Sequence, residues 1–125
     1  MNDCGDADRR FRLYGTKFLI SAQDMDRAVA FYRDVIGLDV KAASPGWSEL
    51  SFGTSIVALH GGGTGRFRRT GLSFTVDDIE GACDEVVLGG GSVRSGPEDR
   101  GEEGIFLAEL TDTEGNGFMM SQEKQ

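Results

Sequence analysis

Hydrophobic and polar positions follow two different periods along the chain, and the periods change in the same order twice. Residues 17–22 (KFLISA) form a compact β-type run, and in the following segment, QDMDRAVAFYRDVIGLDV, apolar residues recur at three- and four-residue steps. That spacing predicts an amphipathic helix. Asp24 stands where an N-cap is expected and Gly37 where a left-handed C-cap is expected. Strands are predicted at 38–42, 47–52 and 56–60.

The second half of the chain shows the same order. LSFTV at 72–76 alternates strictly and predicts a strand with one apolar face. A helix follows that Asp78 can cap and that the glycines at 89–91 end. A short strand at 92–95, a polar loop at 96–104 and strands at 105–110 and 117–121 complete it.

Short stretches of the two halves also match in residue. QDMDRAV at 23–29 stands against DDIEGAC at 77–83, and ELS at 49–51 against ELT at 109–111. The pattern therefore predicts two βαβββ modules, at 17–60 and 71–121, joined by a glycine-rich basic linker at 61–70. Because one copy cannot bury its helix alone, we expect a single α+β domain.

The ends of the chain lie outside the repeat. Residues 1–16 mix charge and glycine without periodicity and are expected to be a flexible tail, with a short strand near 11–14 as an option. Residues 122–125 form a second tail.

The composition and charge of the chain limit the classes of partner that we expect. Apolar residues make up 38% and charged residues 27%, as in ordinary globular proteins. A formal charge of −8 disfavours nucleic-acid binding, and no apolar run approaches the ~20 residues of a membrane helix. We expect neither partner. The N-terminus has no signal-like apolar core, and Cys4 and Cys83 form no metal motif, which predicts a reduced, cytoplasmic protein.

The run DTEGNGFMMSQE at 112–123 nearly fits a calcium-loop template, with Asp112, Glu114, Asn116, Gly117 and Glu123 at template positions. An EF-hand loop needs a helix on each side, but IFLAEL before it is strand-like and only two residues follow it. Asp, Asn and Gly are also the residues of tight turns between strands. We interpret the run as the last turn and strand of the second module.

Three segments in this order, AQDMDRAVAFYRDVIGLDV, LSFTVDDIEGAC and LTDTEGNGFMM, resemble the vicinal oxygen chelate superfamily of glyoxalases, extradiol dioxygenases and bleomycin-resistance proteins. The resemblance covers residues 17–121. It implies a glyoxalase-like fold, in which the modules form curved mixed sheets around a concave cavity, and it implies a homodimer. Whether the modules pair within one chain or across the dimer stays open.

The resemblance also locates the metal positions of this superfamily. Metal-using members carry ligands at four strand positions that fall here on Lys17, Ala58, Gly71 and Met119. None suits a hard or borderline divalent ion, and a one-residue shift of register offers only His60. The resemblance therefore implies the metal-free branch, similar to bleomycin-resistance proteins, with no metal and no cofactor.

Strand alternation predicts which face lines the cavity. Residues Phe18, Ile20, Val57, Leu59, Leu72, Phe74 and Val76 are expected under the helices, so the opposite face lines a groove. We predict ligand contacts from Trp47, Glu49, His60, Ser73, Glu109 and Met119. Simpler interpretations exist for several of them: His60 as a rim residue and the glutamates as solvated strand residues. In the linker, Arg66, Arg68 and Arg69 could clamp an anion, but a solvated connector is the favoured interpretation.

The favoured function is metal-independent binding and sequestration of a small organic molecule, aromatic or cationic, for which an antibiotic or secondary metabolite is the family precedent. The alternative is a lyase, isomerase or dioxygenase-type enzyme with non-standard catalytic residues, in which His60, Glu49 or Glu109 acts as acid or base. A regulatory or assembly module with a vestigial cavity is the third hypothesis.

Overall fold

The computed structural model describes residues 8–125, so the prediction for Cys4 lies outside the described residues. Two modules follow each other along the chain. The first consists of β1 (Phe18–Ser21), α1 (Met25–Ala30) with a π-helical continuation (Phe31–Ile36), β2 (Asp39–Ala43), β3 (Trp47–Phe52) and β4 (Ser55–His60). The second consists of β5 (Arg68–Thr75), α2 (Ile79–Leu88), β6 (Ser92–Asp99), a 3-10 turn (Gly101–Glu103), β7 (Ile105–Thr111) and β8 (Asn116–Glu123). The predicted α+β fold of two tandem βαβββ modules is confirmed.

Each module forms one four-stranded mixed sheet, and the two sheets have the same topology. The strand orders are β1-β4-β3-β2 and β5-β8-β7-β6. The pairs β1/β4 and β5/β8 are parallel, and the other pairs are antiparallel. Thus β1 and β5 are edge strands, each with one free edge.

The helix ends follow the local sequence. The Asp24 carboxylate accepts a hydrogen bond from the Arg27 amide at 3.1 Å, and Asp78 accepts one from the Gly81 amide at 3.0 Å. Gly37 ends the first helix with φ 96°, a conformation that glycine adopts without strain. All three predictions are confirmed. The π-helical continuation was not predicted; there the Gly37 amide donates to the Tyr32 carbonyl at 3.1 Å.

One core joins the two modules on the helical side of the sheets. Ile20, Val57, Leu59 and Leu72 are buried, and Phe18, Phe74 and Val76 pack against them, which confirms the predicted inner face. Across the modules, the ring of Phe31 from the first helix meets the ring of Phe118 from β8 edge-on, with centroids 6.3 Å apart.

Some predicted bounds are wrong. No strand forms at 11–14: Phe11, Leu13 and Tyr14 are 63%, 78% and 94% exposed. A strand needs a partner edge, and this segment has none among the described residues. In contrast, β5 begins at Arg68, inside the predicted linker, because Arg68 pairs with Asn116.

β6 continues to Asp99, through the predicted polar loop, since Glu98 pairs with Leu107 and Asp99 with Phe106. β8 reaches Glu123, inside the predicted C-terminal tail, where it pairs with Ile105. In both places a neighbouring strand supplies backbone partners that residue type does not reveal. Among residues 8–125 there is no helix long and apolar enough to cross a membrane.

Candidate ligand-binding site

A cluster of three side chains lies on the face of the first sheet that is turned away from the core. Trp47 and Glu49 are two residues apart on β3 and share that face, and Glu49 pairs across the sheet with Ala58 of β4. Lys17, just before β1, donates from Nζ to Glu49 Oε2 at 2.8 Å, and the Trp47 Nε1–H donates to the same oxygen at 2.8 Å. One carboxylate oxygen therefore holds both the ammonium and the indole. We call these three residues the Trp47 cluster.

The charge state of this cluster limits its chemistry. The hydrogen bonds from Lys17 and Trp47 lower the pKa of Glu49 below its usual range. Glu49 is thus ionised at neutral pH and is a poor general acid. Its negative charge is offset by Lys17, while the Trp47 side chain, 37% exposed, keeps a fixed orientation.

His60 lies on the same face of the first sheet. It is directly opposite Trp47 on β3 and Ser21 on β1. Its Nε2 is 3.4 Å from the Ser21 hydroxyl and its Nδ1 is 3.3 Å from the Gly61 carbonyl oxygen. The imidazole therefore bonds to a hydroxyl and a carbonyl, and not to a carboxylate that would orient it as in a catalytic acid–base pair. The structure brings Trp47, Glu49 and His60 together on one face.

The second sheet carries its own cluster on the corresponding face. Glu109 pairs with Met119 across the sheet, and Arg69 donates from Nη2 to Glu109 Oε1 at 3.3 Å. The Arg94 guanidinium lies 3.7 Å from the centroid of the Phe67 ring, a cation–π contact. These five residues line a cavity of about 220 Å³. We call them the Phe67 cluster.

Sequence reasoning missed Phe67 and Arg94. The sequence pattern places Phe67 in the predicted linker at 61–70, together with Arg69. The available signal was the aromatic residue between arginines in GRFRR, at the point where the second module begins.

The six predicted contact residues thus fall into three places. Glu109 and Met119 line the small cavity, and Trp47, Glu49 and His60 lie on the other sheet. Ser73 pairs with Met119 but lines a larger cleft near the free edges of β1 and β5. Each glutamate is paired with a cation of its own module, so the two acids do not form an acid–base pair with each other.

The four positions that carry metal ligands in this fold do not fit a divalent ion. The Lys17 ammonium is bonded to Glu49, Ala58 is fully buried and has no donor side chain, Gly71 has no side chain, and Met119 offers only a thioether. Residues 8–125 contain no group of three or more His, Cys, Asp or Glu side chains arranged to hold a metal ion.

The calcium-like turn has another role. Asp112, only 4% exposed, accepts hydrogen bonds from the Tyr32 hydroxyl at 2.5 Å and from the amides of Glu114 and Asn116 at 2.7 and 2.9 Å. Burial raises the pKa of Asp112, although these bonds oppose the shift. The Asn116 side chain donates to the Ser21 carbonyl at 2.7 Å. The turn therefore connects β8 to β1 and to the first helix.

Glu114 completes this connection. It is 3% exposed and accepts from the amides of Gln23 and Asp24 at 2.9 and 2.8 Å and from Arg27 Nε at 2.8 Å. Burial alone raises the pKa of Glu114, but the bonds from Arg27, the Asp24 amide and Thr113 outweigh burial and lower it. The carboxylates of Asp112 and Glu114 are thus occupied by protein donors. We call Tyr32, Asp112, Glu114 and Asn116 the buried polar network.

The sequence model of the Glyoxalase/Bleomycin resistance protein/Dioxygenase superfamily matches residues 16–120. The chain belongs to this superfamily. A search of curated proteins found no match.

Solved structures of superfamily members share the fold at low identity. One from Sphaerobacter thermophilus DSM 20745 is 20% identical, with 90% of this chain and 98% of that chain covered and a TM-score of 0.72. Lactoylglutathione lyase from Agrobacterium tumefaciens is 20% identical, with 87% and 92% covered and a TM-score of 0.68. TnmS3, an antibiotic binding protein from Streptomyces sp. CB03234, is 22% identical, with 91% and 100% covered and a TM-score of 0.66. An enzyme and a binding protein thus share this fold, so function must be argued from the site.

Proposed function

We propose that this protein binds and sequesters a small, partly aromatic organic molecule on the groove faces of its sheets, without a metal ion. The observation that carries the proposal is the Trp47 cluster. An indole that is partly exposed and fixed by a carboxylate is a preformed platform for a flat ring. The acid–base alternative is not favoured, because Glu49 and Glu109 are held by cations and His60 by a hydroxyl and a carbonyl.

The charges on the two groove faces favour a neutral or anionic ligand over a cationic one. Lys17 offsets Glu49, and Arg69 offsets Glu109. Arg94 takes part in none of the ion pairs found within residues 8–125 and lies on the Phe67 ring. A stacked guanidinium of this kind presents its N–H groups to a carboxylate or similar anion. The expectation of a cationic ligand is therefore not part of the proposal.

We also propose that a second copy of the chain closes the groove. The outward faces expose apolar side chains, with Leu19 at 50%, Trp47 at 37% and Phe67 at 37%. Pairing of modules between two chains would cover these side chains and bring a Trp47 cluster opposite a Phe67 cluster. The oligomeric state in solution, measured by analytical ultracentrifugation, tests this part. The cytoplasmic location stays a prediction from the sequence.

The ligand proposal can be tested with matched aromatic probes. Trp47 is the only tryptophan, so its fluorescence reports directly on the platform. We expect 2-naphthoate and 2-naphthamide to quench it saturably, and 2-naphthylmethylamine to bind more weakly than both. Replacing Glu49 with Gln should weaken binding, because the indole loses its charged anchor, whereas Glu102→Gln on the exposed 3-10 turn should leave binding unchanged.

Two results would contradict the proposal. One is an unchanged Trp47 signal with every probe. The other is stoichiometric uptake of Mn²⁺, Ni²⁺ or Zn²⁺ that is lost when His60 and Glu49 are replaced, since that would restore the metal-dependent alternative.

A further inference from the structure

A cavity larger than the one lined by the Phe67 cluster lies away from the groove faces. It is a cleft of about 730 Å³ between the free edges of β1 and β5, bounded by the π-helical segment and α2. Its lining is mostly apolar and comes from both modules: Phe18, Val35, Ile36, Leu38, Phe52, Ile56, Val57, Leu72, Phe74, Val76, Ala82, Val86 and Met120.

The internal duplication explains why this cleft exists. The match of QDMDRAV with DDIEGAC places Tyr32 of the first helix at the position of Val86 in α2. The match of ELS with ELT places Phe52, the last residue of β3, at the position of Asp112, the first residue after β7. In one half of the molecule, Tyr32 is fully buried and reaches Asp112. In the other half, Val86 and Phe52 line the cleft.

The turn between the last two strands of each module also differs between the two halves. β7 and β8 are joined through the four residues Asp112, Thr113, Glu114 and Gly115, whereas β3 and β4 are joined through only Gly53 and Thr54. The shorter turn has no carboxylate to bond a buried partner. A smaller helix residue and a shorter turn therefore leave open the space that the buried polar network fills in the other half. Such a space lacks packing contacts that an apolar ligand would supply.

The polar groups of the lining indicate what the ligand carries. Hydroxyls from Thr16, Ser55, Ser73 and Thr75 join the apolar wall, and the free edge of β5 adds unpaired backbone groups. Of the two charged lining residues, Lys17 is bonded to Glu49 and Glu85 is exposed. The volume is within the range of drug-sized ligand sites.

We propose that this cleft is a second small-molecule site, which takes a neutral, mostly apolar molecule with hydroxyl or carbonyl oxygens. It lies apart from the aromatic side chains of the groove faces, since neither Trp47 nor Phe67 lines it. The residues at the border of the two regions are Lys17, Gly71 and Ser73. The proposal does not rest on ligand binding in the groove.

A neutral fluorescent ketone tests the site. Prodan (6-propionyl-2-dimethylaminonaphthalene) has an apolar ring system and one carbonyl oxygen, and its emission shifts to the blue in an apolar environment. We expect saturable binding by the full-length protein. Val86→Tyr places at this position the side chain that its counterpart Tyr32 has, and Val86→Phe fills the same space without a hydroxyl that needs a partner. Both should weaken binding by about tenfold or more.

The controls separate this site from the groove. Val87→Tyr adds the same side chain at the next position of α2, which is 53% exposed, and should bind prodan as the unchanged protein does. Prodan is itself a neutral naphthalene and can stack on the Trp47 platform, so the Val86 and Val87 variants are compared in the Trp47→Leu background. There naphthoate binding should be abolished, while saturable prodan binding in the cleft should remain. Thermal melts of both Val86 variants establish that they fold. The inference is overturned if prodan does not bind, if folded Val86 variants bind it normally, or if Trp47→Leu removes its binding.

Discussion

Asp112 shows how much one buried carboxylate can connect. Its two oxygens accept from four donors: Oδ1 from the amides of Glu114 and Asn116, and Oδ2 from the Tyr32 hydroxyl and the Asn116 side-chain amide. All four donors are buried, so each would be left without a partner if Asp112 lost its acceptors. The helix of the first module is thereby tied to the last turn of the second.

The Asp112→Asn variant tests this arrangement. An amide at this position turns an NH₂ group toward donors whichever way it is oriented, so we expect a loss of about 1–3 kcal/mol in the free energy of unfolding. Tyr32→Phe removes a single hydrogen bond and leaves three donors on Asp112, so it should cost only about 1 kcal/mol. Urea unfolding measures both. Equal losses, or a larger loss for Tyr32→Phe, would contradict the central role of Asp112.

Glu114 makes part of the stability depend on pH. Its pKa is lowered below the ordinary value of 4.5, mainly because Arg27 and the Asp24 amide outweigh the opposite effect of burial. A carboxylate of this kind contributes stability that is fully present above the unfolded-state pKa and is lost as the pH falls through the folded-state pKa. We expect the difference in melting temperature between the unchanged protein and Glu114→Gln to shrink as the pH falls from 7 to about 3.

The matched control for this titration is Glu102→Gln. It removes the same charge from the exposed 3-10 turn, away from the network, so its difference from the unchanged protein should vary much less with pH. A Glu114→Gln difference that stays constant across the acid range would show that the carboxylate charge does not contribute.

At the level of elements, the end of the first helix depends on one backbone conformation. Gly37 has φ 96°, and a Cβ there would meet no heavy atom within 4 Å. A change to Ala is therefore strained only through its backbone, which should cost about 1–2 kcal/mol. Gly46 also has free space around it but not a positive φ, so Gly46→Ala should stay within ~0.5 kcal/mol of the unchanged protein. Chemical denaturation measures the free energy of unfolding of both variants. Equal losses would show that replacing a glycine, and not the left-handed conformation of Gly37, causes the effect.

The elements that were predicted correctly depend on short-range patterns. Asp24, Gly37 and Asp78 act within one helical turn of themselves, and alternation along β1 and β5 suffices to separate the inner from the outer face. The extension of β6 to Asp99 and the π-helical segment depend on partners elsewhere in the fold. Sequence periodicity carries no information about those partners.

In the candidate site, too, short-range alternation predicts the face of a side chain but not its distant contacts. Alternation placed Trp47, Glu49 and His60 correctly on one outer face. The contacts of Arg69 and Arg94 could not be derived in this way, because irregular pairing interrupts β5 between Arg69 and Leu72 and β6 between Val93 and Ser95. A bulge shifts the register by one residue and reverses the face of every side chain beyond it.

At the scale of the whole molecule, the calcium-like run is explained only by the other module. Apart from the neighbouring Thr113 hydroxyl, the donors to Glu114 come from Gln23, Asp24 and Arg27, which are 87 to 91 residues away along the chain. A local template match cannot contain this information, so the turn was recognised from sequence but its partners were not. The same contacts between the modules lead to a prediction about folding.

Neither module should therefore fold alone. Each half is about 60 residues long, a size at which a separate core is marginal, and here the core is continuous across both halves. We expect fragments 1–66 and 67–125 to be unfolded when separate and to give dispersed amide resonances in NMR spectra when mixed at equal concentration. Asp112→Asn in the second fragment should weaken that association, whereas Gly46→Ala in the first should not. A cooperative thermal transition of either fragment by itself would show that the modules are independent units.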